Sequence, residues 1–97
     1  MNPVNESVAV VVNGTGEPIG FKWRNNNFLV ANKPTRWFAR RQWWNEVSRV
    51  QRGIGVDVIE VEMWRIMASD LGRHTCKQYE LLHRVVSNEW QLVLVYP

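Results

Sequence analysis

The apolar residues of this chain alternate with polar ones more often than they recur at helical spacing, which predicts a strand-rich fold. Val8-Ala9-Val10-Val11-Val12 is an unbroken, mostly β-branched run, the pattern of a strand covered on both faces or nearly so. Asn13-Gly14-Thr15-Gly16 ends it, because Asn and Gly supply the positive φ of a tight turn. Pro18 opens a second strand, with Ile19, Phe21 and Trp23 on one face and Gly20, Lys22 and Arg24 on the other. Asn25-Asn26 is the predicted turn of a two-residue hairpin, and Phe28-Leu29-Val30-Ala31 returns from it. Residues 1–5 are expected to fray.

Pro34 has no amide donor and interrupts the pattern. After it, neither face is clean. Read as a strand, Trp37, Ala39 and Trp43 share a face with Arg41, while Arg36, Phe38, Arg40 and Trp44 share the other. Trp43, Val47 and Val50 fall at i, i+4 and i+7, so an extended segment to Arg41 followed by a short helix over residues 42–50 is predicted. Gly53-Ile54-Gly55 breaks the chain. Residues 56–67 make the longest β-like run. Its apolar positions move from Ile59, Val61 and Met63 to Trp64 and Ile66, a change of face that predicts a β-bulge. A polar loop follows over residues 69–74. Tyr79, Leu81, His83 and Val85 then alternate with Gln78, Glu80 and Arg84, and Ser87-Asn88 makes a turn. The last strand puts Trp90, Leu92, Leu94 and Tyr96 on one face. The sum is a mainly β domain (α+β at most) of about six antiparallel strands, in a strongly bent sheet or small barrel.

Ninety-seven residues correspond to a single domain with a modest core. Six tryptophans change that picture, because a few of them could supply most of the buried area. The charge is also unevenly placed. Residues 33–52 carry Lys33, Arg36, Arg40, Arg41, Arg49 and Arg52 against Glu46 alone, a local +5 in a chain whose total is +3. One cysteine, Cys76, rules out an intrachain disulfide and suits a reducing compartment. No signal peptide is read at the N-terminus, and a cytoplasmic protein is expected.

Catalytic and metal motifs are missing from the sequence. It has no phosphate loop, no dinucleotide fingerprint and no zinc-protease helix. His74, Cys76 and His83 are three soft or borderline ligands where structural zinc wants four, so neither a metal nor another cofactor is expected. Asp57, Glu60 and Glu62 lie on or beside one strand and are expected to pair with basic residues of a neighbour.

The basic, Trp-rich segment is the candidate site: Arg36, Trp37, Arg40, Arg41, Trp44, Arg49 and Arg52. Tryptophan faces stack on exposed bases while arginines neutralise phosphates, so nucleic acid is one partner class. Tryptophan and arginine also dominate protein–protein hot spots, so a protein partner is another. The same rings could instead fill the core, or lie at the seam of a homodimer. A non-enzymatic accessory module touching nucleic acid or a nucleic-acid-handling protein is the first reading, and a protein-binding or homodimeric β domain the second. A hydrolase using His74, Cys76 or His83 comes third.

The pattern Gly20-Phe21-Lys22-Trp23-Arg24, Arg36-Trp37, Trp43-Trp44, Glu62-Met63-Trp64-Arg65-Ile66 and Glu89-Trp90-Gln91-Leu92 resembles a small actinobacterial Trp-rich domain of unknown function. Related segments end the catalytically inactive Y-family polymerase homologues of the bacterial mutasome. The resemblance implies a β-rich module and a connection with DNA-damage tolerance. It implies no catalytic residue.

Overall fold

The structure, a computed structural model, describes residues 2–43 and 57–96. Every regular element in them is a strand: β1 (Asn2–Ser7), β2 (Ala9–Val12), β3 (Pro18–Trp23), β4 (Asn26–Val30), β5 (Thr35–Trp43), β6 (Asp57–Asp70), β7 (Thr75–Arg84) and β8 (Glu89–Tyr96). All pairings are antiparallel, in the order β1-β8-β7-β6-β4-β3-β2, with β5 added on β6. The mainly β, strongly bent sheet foreseen from the sequence is therefore what forms. Among the described residues no helix is long and apolar enough to cross a membrane.

The sheet curls because its two ends belong to one piece of chain. β1 pairs with β8 and β2 pairs with β3, and only Val8 separates them. Residues 2–5, expected to fray, thus lie in β1. The run at 8–12 is not covered on both faces either. Among the described residues β2 pairs only with β3, and Val11 is 59% exposed while Val8 and Val10 turn toward the core. Continuous β-branched sequence reflects strand propensity here rather than two-sided burial.

Local geometry moves two further features. In β3 the partner of Val11 is Gly20 and that of Val12 is Pro18, so Ile19 is an extra residue. The bulge turns Ile19 outward, away from the face of Phe21 and Trp23 that it was expected to share. The β3–β4 turn falls on Arg24-Asn25, one residue before the predicted Asn25-Asn26, with φ of 52° and 65°. Positive φ at both central residues is the twist-matched hairpin turn. Its register sets Phe21 against Phe28, with the rings stacked at 4.6 Å, which a turn one residue later would forfeit.

β4 and β5 run collinearly along one side of β6. Val30 pairs with Ala68 and Thr35 with Arg65, and residues 31–34, including Pro34, bridge the gap. β5 continues as strand through Gln42 and Trp43, which pair with Val58 and Asp57. The helix expected over 42–50 therefore does not begin at Gln42, and residues 44–50 lie outside the described residues.

The predicted bulge in β6 is absent, since its ladders with β5 and β7 show no register shift. Instead β6 buries both faces. Trp64, Ile66 and Ala68 join Phe21, Phe28, Tyr79, Leu81, Trp90, Leu92 and Val95 inside the curl. Val61 and Met63 pack on the opposite face with Leu82 and Val93, under Trp37, Ala39 and Leu94. The bulge lies in β8, where Glu80 pairs with Leu94 and Leu81 with Leu92. Val93 is the extra residue, and the inner face of β8 runs Trp90, Leu92, Val95 rather than Trp90, Leu92, Leu94, Tyr96.

Candidate functional site

The basic segment forms β5, half of a two-stranded arm. β7 covers β6 only from Glu62 onward, so residues 57–61 of β6 pair, among the described residues, with β5 alone. The outer edge of β5 pairs with no strand among the described residues. Arg36, Phe38 and Arg40 share one face of that edge and are exposed, Phe38 to 57%.

Acidic residues of β6 stand beside the basic residues of the arm. Arg40 pairs in register with Glu60, and Arg36 Nη1 lies 3.4 Å from Glu62 Oε2. Of the acids expected to meet basic residues of a neighbour, Glu62 does so in an ion pair with Arg36, while Glu60 stands opposite Arg40 in the ladder and Asp57 opposite Trp43. Glu62 is a hub. Its Oε1 accepts the Trp64 indole N–H at 3.0 Å and lies 2.8 Å from His83 Nδ1. Burial pushes the Glu62 carboxyl up, but the His83 and Trp64 hydrogen bonds and the charges of His83 and Arg36 outweigh it, and the net shift is down. His83 Nε2 lies 2.9 Å from Asn88 Oδ1, and its ring stacks on Trp90 at 4.0 Å.

On the opposite face, Arg65 reaches over the Trp37 ring at 5.3 Å and the Tyr96 ring at 5.8 Å. It is held there by Glu80 Oε2 at 3.0 Å, which also accepts the Tyr96 hydroxyl at 2.6 Å. Arg65 thus gives Trp37 a cation partner within the molecule, and Trp37 is half-buried over Met63 and its neighbours. Of the expected site residues, the structure brings Arg36 and Arg40 to one exposed face and sets Trp37 on the other. Arg41 follows in the ladder opposite Ile59. Trp44, Arg49 and Arg52 lie outside the described residues.

Cys76 and His83, two of the residues a hydrolase would use, do not meet. Seven residues along β7 separate them, roughly 23 Å at ~3.3 Å per residue. Among the described residues, no group of three His, Cys, Asp or Glu side chains could hold a metal ion.

Sequence reading missed the opposite end of the curled sheet. There the β3–β4 and β6–β7 turns border a cavity of about 650 Å³. Trp23 donates its indole N–H to Glu6 Oε1 at 2.8 Å, and Arg24 pairs with the same carboxylate. Arg24 and then Trp23 hold the Glu6 carboxyl below its ordinary range. Asp70 Oδ1 accepts the Gly72 and Arg73 amides at 2.9 and 3.3 Å. Arg73, Lys77 and the buried Tyr79 complete the lining. The alternation of Tyr79 was visible in the sequence, but residues from β1, β3, β6 and β7 meet there only through the curl.

Comparison with curated proteins and with solved structures gave no match. The sequence profile of a domain of unknown function, DUF6504, matches residues 1–96, nearly the whole chain, and the chain belongs to that family.

Proposed function

We propose that this domain is a non-enzymatic accessory module that binds another protein by taking an extended segment onto the edge of β5. The observation that carries this reading is an edge strand, unpaired among the described residues, that presents exposed Phe38 between Arg36 and Arg40. Folded proteins normally blunt such edges, because unpaired N–H and C=O groups recruit other strands. Backbone pairing would supply affinity, and side chains at alternate positions would supply selectivity. An acid, an apolar residue and an acid at every second position of the partner would match Arg36, Phe38 and Arg40. A second copy of β5 fits worse, because antiparallel pairing centred on Phe38 sets Arg36 against Arg40. The resemblance to the ends of mutasome polymerase homologues favours a cytoplasmic DNA-tolerance protein as the partner.

Nucleic acid is the weaker reading. Glu60 and Glu62 sit beside the arginines, and Trp37 already has a cation over its ring. Fluorescence anisotropy of a labelled Asp-Ser-Ile-Ser-Asp peptide, with a single-stranded oligonucleotide in parallel, separates the readings. The proposal expects peptide binding that weakens about tenfold in Phe38→Ala, the loss of roughly 1.4 kcal/mol. Binding of the oligonucleotide alone, falling steeply with salt, would replace the protein partner by nucleic acid. A solution mass of two chains that Phe38→Ala returns to one would favour the homodimer.

A further inference from the structure

We propose that the cavity between the β3–β4 and β6–β7 turns binds a small aromatic monocarboxylate, with Arg73 and Lys77 holding the carboxylate and Trp23 and Tyr79 contacting the ring. This site is separate from the β5 edge and does not depend on the reading given for it. Its volume of about 650 Å³ lies within the range of small-molecule pockets, and the mouths of curled β-sheets are frequent places for them.

The polar groups of the cavity divide into satisfied and unsatisfied sets. Glu6 is taken up by Trp23 and Arg24, and Asp70 Oδ1 by two backbone amides. Tyr79 is only 3% exposed, yet its hydroxyl has no hydrogen-bond partner among the described residues. A hydroxyl that lines a cavity without a protein partner is free to donate to a ligand that enters it. Burial, then the nearby Asp70 and Cys76, raise the Tyr79 pKa, so the hydroxyl stays protonated and able to donate at neutral pH.

The charges select the ligand class. Glu6 and Arg24 cancel each other. Arg73 and Lys77 form no ion pair among the described residues, and the buried Asp70 offsets one of them. The remaining single positive charge suits one carboxylate better than a doubly charged phosphate. Val4, Phe28 and Val95 supply apolar wall, and the half-buried Trp23 ring, with the Arg24 guanidinium 4.7 Å from its centre, lines the cavity beside them.

Titration of ¹⁵N-labelled protein with 2-naphthoate, 2-naphthamide and 2-naphthyl phosphate tests the assignment. The expected result is a saturable shift of the Trp23 indole N–H and the amides of residues 73–79 with naphthoate. Naphthamide should bind at least about tenfold more weakly, and so should naphthoate to the Arg73→Ala/Lys77→Ala double variant. Tyr79→Phe keeps the ring packing and should weaken naphthoate by about threefold to tenfold while its other resonances stay native. Equal binding of acid and amide would overturn the carboxylate assignment, as would tighter binding of the phosphate. No shift up to about 5 mM naphthoate, a Kd beyond any useful affinity, would overturn the site itself.

Discussion

β6 passes through two settings. Along residues 66–70 it lies deep in the sheet, with β7 on one side, β4 along residues 68–70 on the other, and Ile66 and Ala68 in the inner core. Along residues 57–61 its one partner strand among the described residues is β5, and Glu60 and Arg40 stand opposite each other in the ladder. One continuous strand therefore serves as framework at one end and as presenting arm at the other. The difference teaches that tryptophan and arginine content does not by itself say which side chains are exposed. Trp64 and Trp90 are core, Trp37 lies under Arg65, and among the described residues the exposed aromatic beside Arg36 and Arg40 is Phe38.

Core truncation should separate the two settings most strongly. Leu81→Ala, beside Trp64 in the ladder and fully buried, should lower stability by about 3–4 kcal/mol in urea denaturation. Phe38→Ala on the arm should stay within about 0.5 kcal/mol in the same measurement. Equal losses would mean that the arm is framework too. At the root of the arm, Glu80→Ala should cost about 2 kcal/mol, because buried Glu80 accepts from both Arg65 and Tyr96. A loss near zero would show that this network does not anchor the arm.

Acid provides a finer comparison. The folded Glu62 carboxyl is held below its ordinary value of 4.5, so the folded state binds that proton less readily than the unfolded chain. Its contribution is complete above about pH 4.5 and is lost as the pH falls through the lowered folded value. Glu62→Gln should flatten that part of the stability–pH curve, and an unchanged acid limb would remove Glu62 from the account. The smallest effect should be that of Tyr79→Phe, within about 0.5 kcal/mol of wild type, since the hydroxyl has no protein partner to lose.

Much of this architecture is legible in local pattern. The turn at residues 13–17 is written in Asn13, whose side-chain oxygen accepts the Thr15 and Glu17 amides, and in Gly16 at φ 88°. The strands around Phe21, Phe28, Tyr79 and Trp90 follow from two-residue alternation, which depends only on backbone pleat. The pairing of acidic β6 with basic β5 was also legible, because charge complementarity does not require knowing the fold.

What sequence could not give is register and closure. The bulges at Ile19 and Val93 swap faces within otherwise regular strands, and nothing local marks them. The same holds for the two buried faces of β6, which mimic a bulge in one dimension but come from packing on both sides. By itself the sequence determined that the chain would form antiparallel strands with a basic, aromatic segment, since propensity and alternation are properties of neighbouring residues. Only the tertiary structure decided that the segment becomes an arm and that distant turns enclose a cavity beside Tyr79, because both depend on which strands meet when the sheet curls.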